Sequence, residues 1–377
     1  MNSFLLDYTR ALTGAIGADF GDNWDTDRFG PEPADASVRH PGIRRLLASA
    51  GLMTIGAARQ TVAGGIRFVE PHLDDLEWLY GVLADEESRS MLVQLAAFRA
   101  LGHRKVKLPT NAPGFWHGRD EAKRIPCGIE EIDPGFLGWK LHQRNLANFN
   151  YPITMFTGPG ACYTTFVHQQ YRCETADGVI ECESGDMVVD AGGCYGDTAL
   201  YFAHKSGAEG MVASFEFLPV NLSVFRRNME LNPELAARIQ LHECPVYSES
   251  GRELFVVENG PGTRVQSAPH DPGSLAVRTF KIDDLVARGG LPRIDFIKMD
   301  IEGAELEALK GSEFVLRQFR PKLAVTVYHD FKDFWTIPRY IDGLGLGYRF
   351  YLRHFTIHSE ETVLFARVPE HTRSAAR

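Results

Sequence analysis

A strand, a tight turn and a helix are encoded together in Met187-Val188-Val189-Asp190-Ala191-Gly192-Gly193-Cys194-Tyr195-Gly196-Asp197-Thr198. The apolar start is typical of a buried strand, and Asp197 or Thr198 is suited to cap the helix that follows. Gly192, Gly193 and Gly196 allow a ligand to come close to the backbone of the turn. This order of elements predicts a ligand site at the carboxyl end of the strand.

Two ligands commonly use such a turn. One is a dinucleotide, whose pyrophosphate lies at the helix N-terminus, and the other is S-adenosylmethionine, which has no phosphate. The dinucleotide fingerprint requires glycine where this chain has Cys194 and Asp197, and a carboxylate at the helix start repels pyrophosphate. Asp190, Gly192 and Gly196 instead form a D-x-G-x-x-x-G pattern that resembles class I methyltransferases. Because the pattern is short, a purely structural glycine turn is the competing interpretation.

A second acidic residue falls where such a cofactor site needs one. Glu216 ends the next predicted strand, 216 − 196 = 20 residues after Gly196. A carboxylate at that position can accept hydrogen bonds from both hydroxyls of a ribose. The turn and Glu216 together favour a cofactor that carries a ribose.

Strand-like and helix-like segments alternate through the C-terminal half of the chain. We predict strands over Met187–Asp190, Met211–Glu216, Ile239–Cys244, Phe296–Asp300 and Leu323–Tyr328, and helices over Thr198–Lys205, Leu222–Leu231 and Ala304–Leu309. This alternation predicts an α/β fold with a doubly wound, mostly parallel sheet.

The N-terminal part of the chain has helical periodicity instead. Apolar residues recur at helical spacing over Ile43–Ala50, Leu73–Leu83 and Met91–Phe98. Asp85 is suited to start the last of these helices and Gly102 to end it. We therefore predict a helical accessory domain over residues 1–105.

Between the two parts we predict an irregular, proline-rich connector over residues 106–160. A β-hairpin over 164–183 follows, with strands Phe166–Cys173 and Val179–Cys182 joined at an Asp-Gly turn. The hairpin opens a methyltransferase-type domain that spans 161–368, and 369–377 form a flexible tail.

A third segment identifies a family. Residues 295–311, DFIKMDIEGAELEALKG, closely resemble the hallmark of the FkbM-type methyltransferases. The resemblance extends to VVDAGGCYGDTAL at 188–200, to FEFLPVN at 215–221 and to the region 328–366, and it is looser over 83–109. It covers the chain well from about Gly185 to Arg367.

The resemblance implies a class I, Rossmann-like fold with seven strands, S-adenosylmethionine as the cofactor, and O-methylation of a sugar, glycan or natural-product hydroxyl. It places Asp300 and Glu302 near the sulfonium and the substrate. The predicted cofactor-binding positions are Asp190, Gly192, Gly193, Gly196, Asp197, Thr198, Glu216, Phe217 and Asp300.

Methyl transfer to oxygen also needs an acceptor for the hydroxyl proton. His329, Asp300 and His354 all follow predicted strands, and Asp300 and Glu302 are predicted to act at the reacting centre together with His329. Histidine ordinarily titrates near pH 6.5 and aspartate near about 3.9, so His329 is the favoured general base. Asp300 and Glu302 could instead only cap the following helix. We predict no obligatory metal.

Composition limits the partners. A formal charge of −9 disfavours binding to nucleic acid, whose affinity for proteins comes largely from lysine and arginine. The six cysteines show no C-x-x-C pairing and no signal-like or membrane-spanning apolar run occurs, so we expect a cytoplasmic protein that does not contact a membrane. A small-molecule acceptor is the expected partner, and the N-terminal helices could pair two subunits in a homodimer.

Three other functions compete with this prediction. A nicotinamide-dependent dehydrogenase is disfavoured by Cys194 and Asp197 in the turn. A non-catalytic binding or scaffold protein has no physical need of Asp190, Glu216 and Asp300. A nucleic-acid methyltransferase is disfavoured by the net charge and by the lack of an Asn-Pro-Pro-aromatic segment.

Overall fold

The computed structural model describes residues 3–32, 55–135, 139–257, 263–269 and 274–369 of the 377-residue chain. The predicted helix over Ile43–Ala50 and most of the predicted tail lie outside these ranges. The described residues form two compact units. The first comprises residues up to 115 together with Tyr351–Thr362, and the second comprises Trp116–Phe350 and the residues from Val363 onward.

The first unit contains α1 (Phe4–Gly14), α2 (Thr26–Phe29), α3 (Ile55–Val69), α4 (Leu73–Val82) and α5 (Glu86–Leu101), with a 3-10 turn at Glu70–His72. The predicted helical segments beginning at Leu73 and around Met91 are confirmed. Asp85 caps α5 by accepting the backbone N–H of Ser88 at 2.8 Å, and Gly102 ends the helix with φ 79°. No helix in the described ranges has the length and apolar character needed to cross a membrane.

The stretch 106–160 is not irregular, so that prediction is wrong. It contains α6 (Pro113–Lys123), β1 (Cys127–Ile132), β2 (Leu141–Asn145), a 3-10 turn (Ala147–Phe149), β3 (Thr154–Thr157) and α7 (Pro159–Ala161). The three strands form an antiparallel sheet in the order β1-β2-β3. The prolines flank these elements rather than interrupting them, since Pro113 and Pro159 are first helical residues and Pro126 directly precedes β1.

The predicted hairpin exists, but its strands are short. Cys162–Val167 is a π-helix instead of part of a strand, and β4 (Cys173–Thr175) pairs with β5 (Gly178–Ile180) across the predicted turn. The β-branched and aromatic residues of 162–167 favour a strand by propensity. Packing overrides that preference, because Tyr163, Thr165 and Phe166 are buried and Thr165 is hydrogen bonded to Asp197.

The central sheet has seven strands in the order β14-β15-β13-β12-β6-β7-β8. They are β6 (Met187–Ala191), β7 (Met211–Phe215), β8 (Ile239–His242), β12 (Phe296–Met299), β13 (Lys322–Thr326), β14 (Arg349–His354) and β15 (Thr362–Arg367). All pairs from β13 to β8 are parallel, and β15 pairs antiparallel with β13. The predicted class I, mostly parallel seven-stranded architecture is confirmed.

The second unit also contains α8 (Asp197–Ser206), α9 (Pro219–Glu230), α10 (Pro233–Ala236), α11 (Asp283–Ala287), α12 (Glu305–Lys310), α13 (Glu313–Phe319) and α14 (Asp333–Gly343). A small antiparallel sheet in the order β10-β9-β11 is built from β9 (Glu253–Val257), β10 (Arg264–Gln266) and β11 (Ala276–Arg278).

Every residue of β6, β12 and β13 is buried, as their near-continuous apolar sequences predict for strands covered on both faces. Because β13, β12, β6 and β7 are parallel neighbours, their carboxyl ends share one edge of the sheet. The segments that follow them begin at Val327, Asp300, Gly192 and Glu216. The fold therefore brings the predicted site segments to one edge.

Candidate active site

The turn after β6 closely approaches the end of β12. Gly192 has φ +85°, and a Cβ atom on it would lie 1.9 Å from the carbonyl oxygen of Asp300. The amides of Gly192 and Gly193 both donate to the carbonyl oxygen of Phe215, at 3.1 and 2.8 Å. Only glycine fits position 192, since a side chain there meets backbone atoms that cannot move aside.

The other glycines of the turn are also confined. A Cβ atom on Gly193 would lie 2.3 Å from the hydroxyl oxygen of Ser214, and Gly196 has φ +84° and packs against the ring of Phe225. Cys194, between them, adopts φ 44°, which is uncommon for a residue other than glycine. The turn is thus a tightly folded loop over the ends of β6 and β7.

Asp190 lies beneath this turn. Its carboxylate is fully buried and accepts hydrogen bonds from the hydroxyls of Thr198 and Ser214, at 2.9 and 2.7 Å. The ammonium group of Lys298 lies 3.1 Å from Asp190 Oδ1. Asp190 therefore holds the strands β6, β7 and β12 and the start of α8 together beneath the turn.

Lys298 was not among the predicted site residues. It is 1% exposed, donates to the carbonyl oxygen of Ala191 at 3.1 Å, and lies 5.4 Å from the centre of the Tyr171 ring. Burial alone would lower the pKa of Lys298, but the carboxylates of Asp190 and Asp300 outweigh it and hold that pKa above its usual value. A lysine inside the apolar strand Phe296–Met299 was the available signal, because a buried charge requires a partner.

Asp197 and Thr198 do not cap α8. The N-cap position belongs to Gly196, and no side chain caps the helix there. Thr198 uses its hydroxyl on Asp190, while Asp197 accepts the hydroxyl of Thr165 at 3.1 Å. Burial raises the pKa of Asp197. The prediction of an Asp197 or Thr198 cap is therefore wrong, because the neighbouring carboxylate and π-helix take both side chains.

Glu216 follows β7 and is 7% exposed. Its Oε1 accepts the backbone N–H groups of Phe217 and Leu218, at 2.6 and 2.8 Å, and its Oε2 accepts the side-chain amide of Asn221 at 3.1 Å. Burial raises the pKa of Glu216 in spite of these donors. Each carboxylate oxygen has two acceptor sites, so Oε2 retains one beyond its bond to Asn221.

A second group of charged side chains follows β12 and β13. His329 Nε2 lies 3.4 Å from Asp300 Oδ1 and 3.3 Å from Glu302 Oε2, and His329 Nδ1 lies 3.0 Å from Glu305 Oε1. The His329 side chain is 3% exposed and that of Glu305 is fully buried, whereas Asp300 and Glu302 are partly exposed. The structure brings together the three residues predicted at the reacting centre, and it adds Glu305.

Hydroxyl groups surround Asp300 in this cluster. Tyr171 donates to Asp300 Oδ2 at 3.2 Å, and Tyr328 donates to Asp300 Oδ1 at 3.2 Å. Thr326 lies within hydrogen-bonding distance of both Asp300 and Glu305. The aspartate is therefore held in one orientation at the end of β12.

The protonation of His329 changes its expected role. Burial would lower its pKa, but the surrounding carboxylates of Glu305, Glu302 and Asp300 overcome that effect and raise the pKa of His329 to about 11. An imidazolium has no lone pair that could accept a proton. While it is protonated, His329 cannot take up a proton as a general base, whereas Asp300 and Glu302 keep accepting oxygens.

The third candidate base, His354, lies in the first unit. It is buried, and its Nδ1 is 2.9 Å from the hydroxyl oxygen of Thr362. Burial lowers the pKa of His354 to about 3, so its imidazole is neutral near pH 7. The hydroxyl of Thr362 satisfies one of its ring nitrogens.

Comparison with known proteins covers both the glycine turn after β6 and the charged cluster after β12 and β13. Residues 190–356 match the family model described as "Methyltransferase FkbM domain". Methyltransferase 1 of Beauveria bassiana is 25% identical over 220 residues, which are 52% of this chain and 86% of that protein. Methyltransferase sdnD of Sordaria araneosa is 29% identical over 178 residues, 39% of this chain and 68% of that protein.

Two further proteins are similar to this chain over different shares of its length. The hexuronic acid methyltransferase AglP of Haloferax volcanii is 31% identical over 135 residues, 35% of this chain and 52% of that protein. The crystal structure of methyltransferase FkbM from Methylobacillus flagellatus superimposes with a TM-score of 0.50 at 19% identity, covering 91% of this chain and 72% of that one. At that identity the structural match shows the fold alone.

Proposed function

Residues 190–356 match the methyltransferase FkbM family model, and from that match we propose that this protein is an S-adenosylmethionine-dependent O-methyltransferase that acts on a hydroxyl of a sugar, glycan or natural-product small molecule. One juxtaposition carries the proposal. The glycine turn after β6, Glu216 after β7 and Asp300 after β12 lie at one edge of the sheet, with Gly192 in contact with Asp300.

The cofactor half of the proposal depends on the turn and on Glu216. Gly192 lets the turn close onto the end of β12, which brings the turn and Asp300 together, and Glu216 Oε2 can accept from a ribose hydroxyl. Asp197 at the start of α8 disfavours a pyrophosphate at the same place. The residues present therefore fit S-adenosylmethionine better than a dinucleotide.

The acceptor half depends on the cluster after β12 and β13. Carboxylates of Asp300 and Glu302 and hydroxyls of Tyr171 and Tyr328 are grouped there, and such groups recognise a substrate rich in hydroxyls. Among the relatives, the Haloferax volcanii protein is named for a hexuronic acid. A sugar hydroxyl is accordingly the first acceptor class to test.

S-adenosylmethionine, when bound, supplies the methyl group and leaves as S-adenosylhomocysteine after the S–CH3 bond breaks and the new C–O bond forms. The chain's residues align the acceptor oxygen and take up its proton, for which Asp300 is placed. Alignment of the acceptor oxygen with the methyl group can be equivalent to an effective concentration of about 10⁵–10⁸ M. A general base, by comparison, typically raises the reaction rate ~10²–10⁴-fold. Positioning is therefore the larger contribution of this protein.

The test is calorimetric titration with S-adenosylmethionine, S-adenosylhomocysteine and NADH, comparing wild type with Glu216→Ala. Glu209→Ala, at an exposed position before β7, is the matched control. We expect binding of the first two ligands, weakened about 10–100-fold in Glu216→Ala and unchanged in Glu209→Ala, because a hydrogen bond to a charged group contributes about 1.5–3 kcal/mol. Binding of NADH alone would refute the proposal. If S-adenosylmethionine binds, methyl transfer to a panel of sugars identifies the acceptor.

A further inference from the structure

Three side chains of the cluster can share one ion. Asp300 and Glu302 follow β12, and His329 follows β13, so all three meet at the carboxyl edge of the sheet. One carboxylate oxygen from each acid and one ring nitrogen of His329 lie within 4.8 Å of one another. We propose that Asp300, Glu302 and His329 Nε2 bind a divalent cation, with Mn²⁺ the closest match to the ligand set.

The distances are those of neighbouring ligands around one ion. Nε2 of His329 is 3.4 Å from Asp300 Oδ1 and 3.3 Å from Glu302 Oε2. Ligands at right angles around an octahedral cation with bonds of about 2.1 Å are about 3.0 Å apart. Both distances from His329 Nε2 are therefore within a few tenths of an ångström of the separation that adjacent ligands have around such a cation.

His329 provides independent support. Its side chain is 3% exposed, and in the described part of the chain neither ring nitrogen makes a hydrogen bond of regular geometry, although both face carboxylates. A buried imidazole without well-aligned partners is costly, because its polar atoms have lost water. A cation bound to Nε2 would satisfy that atom.

Glu305 holds the imidazole in the orientation that this site needs. Its Oε1 lies 3.0 Å from His329 Nδ1, and its two oxygens accept the backbone N–H groups of Ile301 and Gly303 at 2.9 and 3.0 Å. A carboxylate that accepts the Nδ1 proton directs the Nε2 lone pair away from itself, here toward Asp300 and Glu302. Histidine ligands in metalloproteins commonly have such a carboxylate partner.

The backbone also presents Glu302 to the site. Glu302 adopts φ 57° and Gly303 follows with φ 97°. A left-handed conformation is unfavourable in a residue other than glycine and persists only where the surroundings impose it. Here Glu305 binds the amides on both sides of Glu302, and the conformation carries the Glu302 carboxylate to His329.

The ligand chemistry selects among cations. Carboxylates suit Mg²⁺ and Mn²⁺, imidazole suits later transition metals, and Mn²⁺ accepts both. Three protein ligands leave coordination positions for an outside oxygen. Resting on the proposed function, we infer that this oxygen belongs to the acceptor hydroxyl. The cation would lower the pKa of that hydroxyl, and its proton would pass to Asp300 Oδ2, the carboxylate oxygen that does not face His329, as the methyl group is transferred.

The alternative is an ion cluster in which a proton on His329 Nε2 takes the place of the cation. The two arrangements differ in one measurable property, which is saturable metal binding. Full-length protein freed of metal with a chelator is titrated with MnCl₂, and free Mn²⁺ is followed by electron paramagnetic resonance. We expect one Mn²⁺ per chain and competition by Mg²⁺ and Zn²⁺.

Variants locate the binding site. Glu302→Gln and His329→Ala should each weaken Mn²⁺ binding at least tenfold, and Glu305→Gln by about 10–100-fold. Glu313→Gln, an exposed acid on α13 that pairs with Arg317, removes the same charge elsewhere and should bind as wild type. Glu302→Gln conserves shape, so it decides the question if His329→Ala fails to fold.

Absence of saturable Mn²⁺ binding, or equal binding by wild type and Glu302→Gln, would overturn the cation site. Binding of S-adenosylhomocysteine is measured on the same samples, and Glu216→Ala should weaken it about 10–100-fold without weakening Mn²⁺ binding. Mn²⁺ binding without binding of S-adenosylmethionine refutes the proposed function and leaves the cation site standing. Full methyl transfer in chelator, with no Mn²⁺ bound, refutes the cation site alone.

Discussion

Lys298 Nζ lies 3.1 Å from Asp190 Oδ1, and both side chains are almost completely removed from solvent. Lys298 also donates to the carbonyl oxygen of Ala191, the residue that leads into the glycine turn. The ion pair thus joins β12 to β6 directly beneath the proposed cofactor site. Because each charge is compensated mainly by the other, neither can be removed alone without cost.

Lys298→Met should destabilise the second unit by about 3–5 kcal/mol, because it leaves the Asp190 carboxylate buried without its cation. Urea unfolding measures the change. Lys310→Met, at an exposed ion pair with Glu307, is the control and should cost about 0–1 kcal/mol. The explanation fails if Lys298→Met combined with Asp190→Asn is no more stable than Lys298→Met alone.

Gly192→Ala should abolish binding of S-adenosylhomocysteine and destabilise the fold. Its Cβ atom would lie 1.9 Å from the carbonyl oxygen of Asp300, so the turn must move away from the end of β12. Gly185→Ala is a matched control, since Gly185 has a similar φ of +87° with nothing within 4 Å of its Cβ position. We expect only the cost of the left-handed conformation there, about 1–2 kcal/mol. Equal effects of the two variants would show that close packing at Gly192 is unimportant.

Asp300→Asn should lower kcat for methyl transfer by about 10²–10⁴-fold, because the amide cannot take up the acceptor proton. Tyr171 and Tyr328 bond to different oxygens of Asp300; asparagine keeps one oxygen to accept from one of these hydroxyls, and its amide nitrogen can donate to the other, so the fold should be retained. Steady-state kinetics and circular dichroism measure the two effects. Asp284→Asn, which breaks an ion pair with Arg288 on α11, is the control and should keep wild-type kcat. A kcat within threefold of wild type in Asp300→Asn would exclude Asp300 as the proton acceptor.

The first unit should lose stability as the pH falls below about 6.5. His358 is buried, and its Nε2 accepts the backbone N–H of Asp25 at 3.2 Å, which requires the unprotonated nitrogen. Burial, with a smaller effect of His103, lowers the pKa of His358 to about 4. An unfolded chain binds this proton near pH 6.5, whereas the folded chain does not until about pH 4.

The stability contributed by His358 is therefore complete above about pH 6.5 and decreases as the pH approaches about 4, by up to ~1.4 kcal/mol per pH unit for one proton. His354, whose pKa is lowered to about 3 by burial, changes stability in the same direction. Unfolding by urea at pH 7 and pH 5 measures the loss. His358→Gln keeps an acceptor for the Asp25 amide and should reduce the difference between the two pH values, whereas His117→Gln, at an exposed histidine, should not.

Much of the site could be predicted from short segments. The strand, turn and helix around Gly192, the acid at the end of β7 and the acids after β12 are each encoded within about a dozen neighbouring residues. Repeated strand–helix units predict parallel strands, and parallel strands place their carboxyl ends at one edge. The proposed cofactor-binding segments and the match to the family model follow from that local information.

The wrong predictions of secondary structure also have local causes. Residues 162–167 have strand-like composition, and the prolines of 106–160 suggest irregular backbone. In the folded chain the first segment is a buried π-helix against α8, and the prolines mark the starts of elements. Propensity describes an isolated segment, while the burial of its side chains depends on residues elsewhere in the chain.

The amino-acid sequence by itself determined the architecture, the glycine turn and the match to the family model, since periodicity and spacing are properties of neighbouring residues. Only the tertiary structure decided which charges meet. Sheet order places Lys298 beside Asp190, more than 100 residues earlier, and sets His329 against Glu305 as well as Asp300 and Glu302. The state of a buried imidazole depends on the carboxylates around it, so the surroundings of His329, the predicted base, became visible only with β12 and β13 side by side.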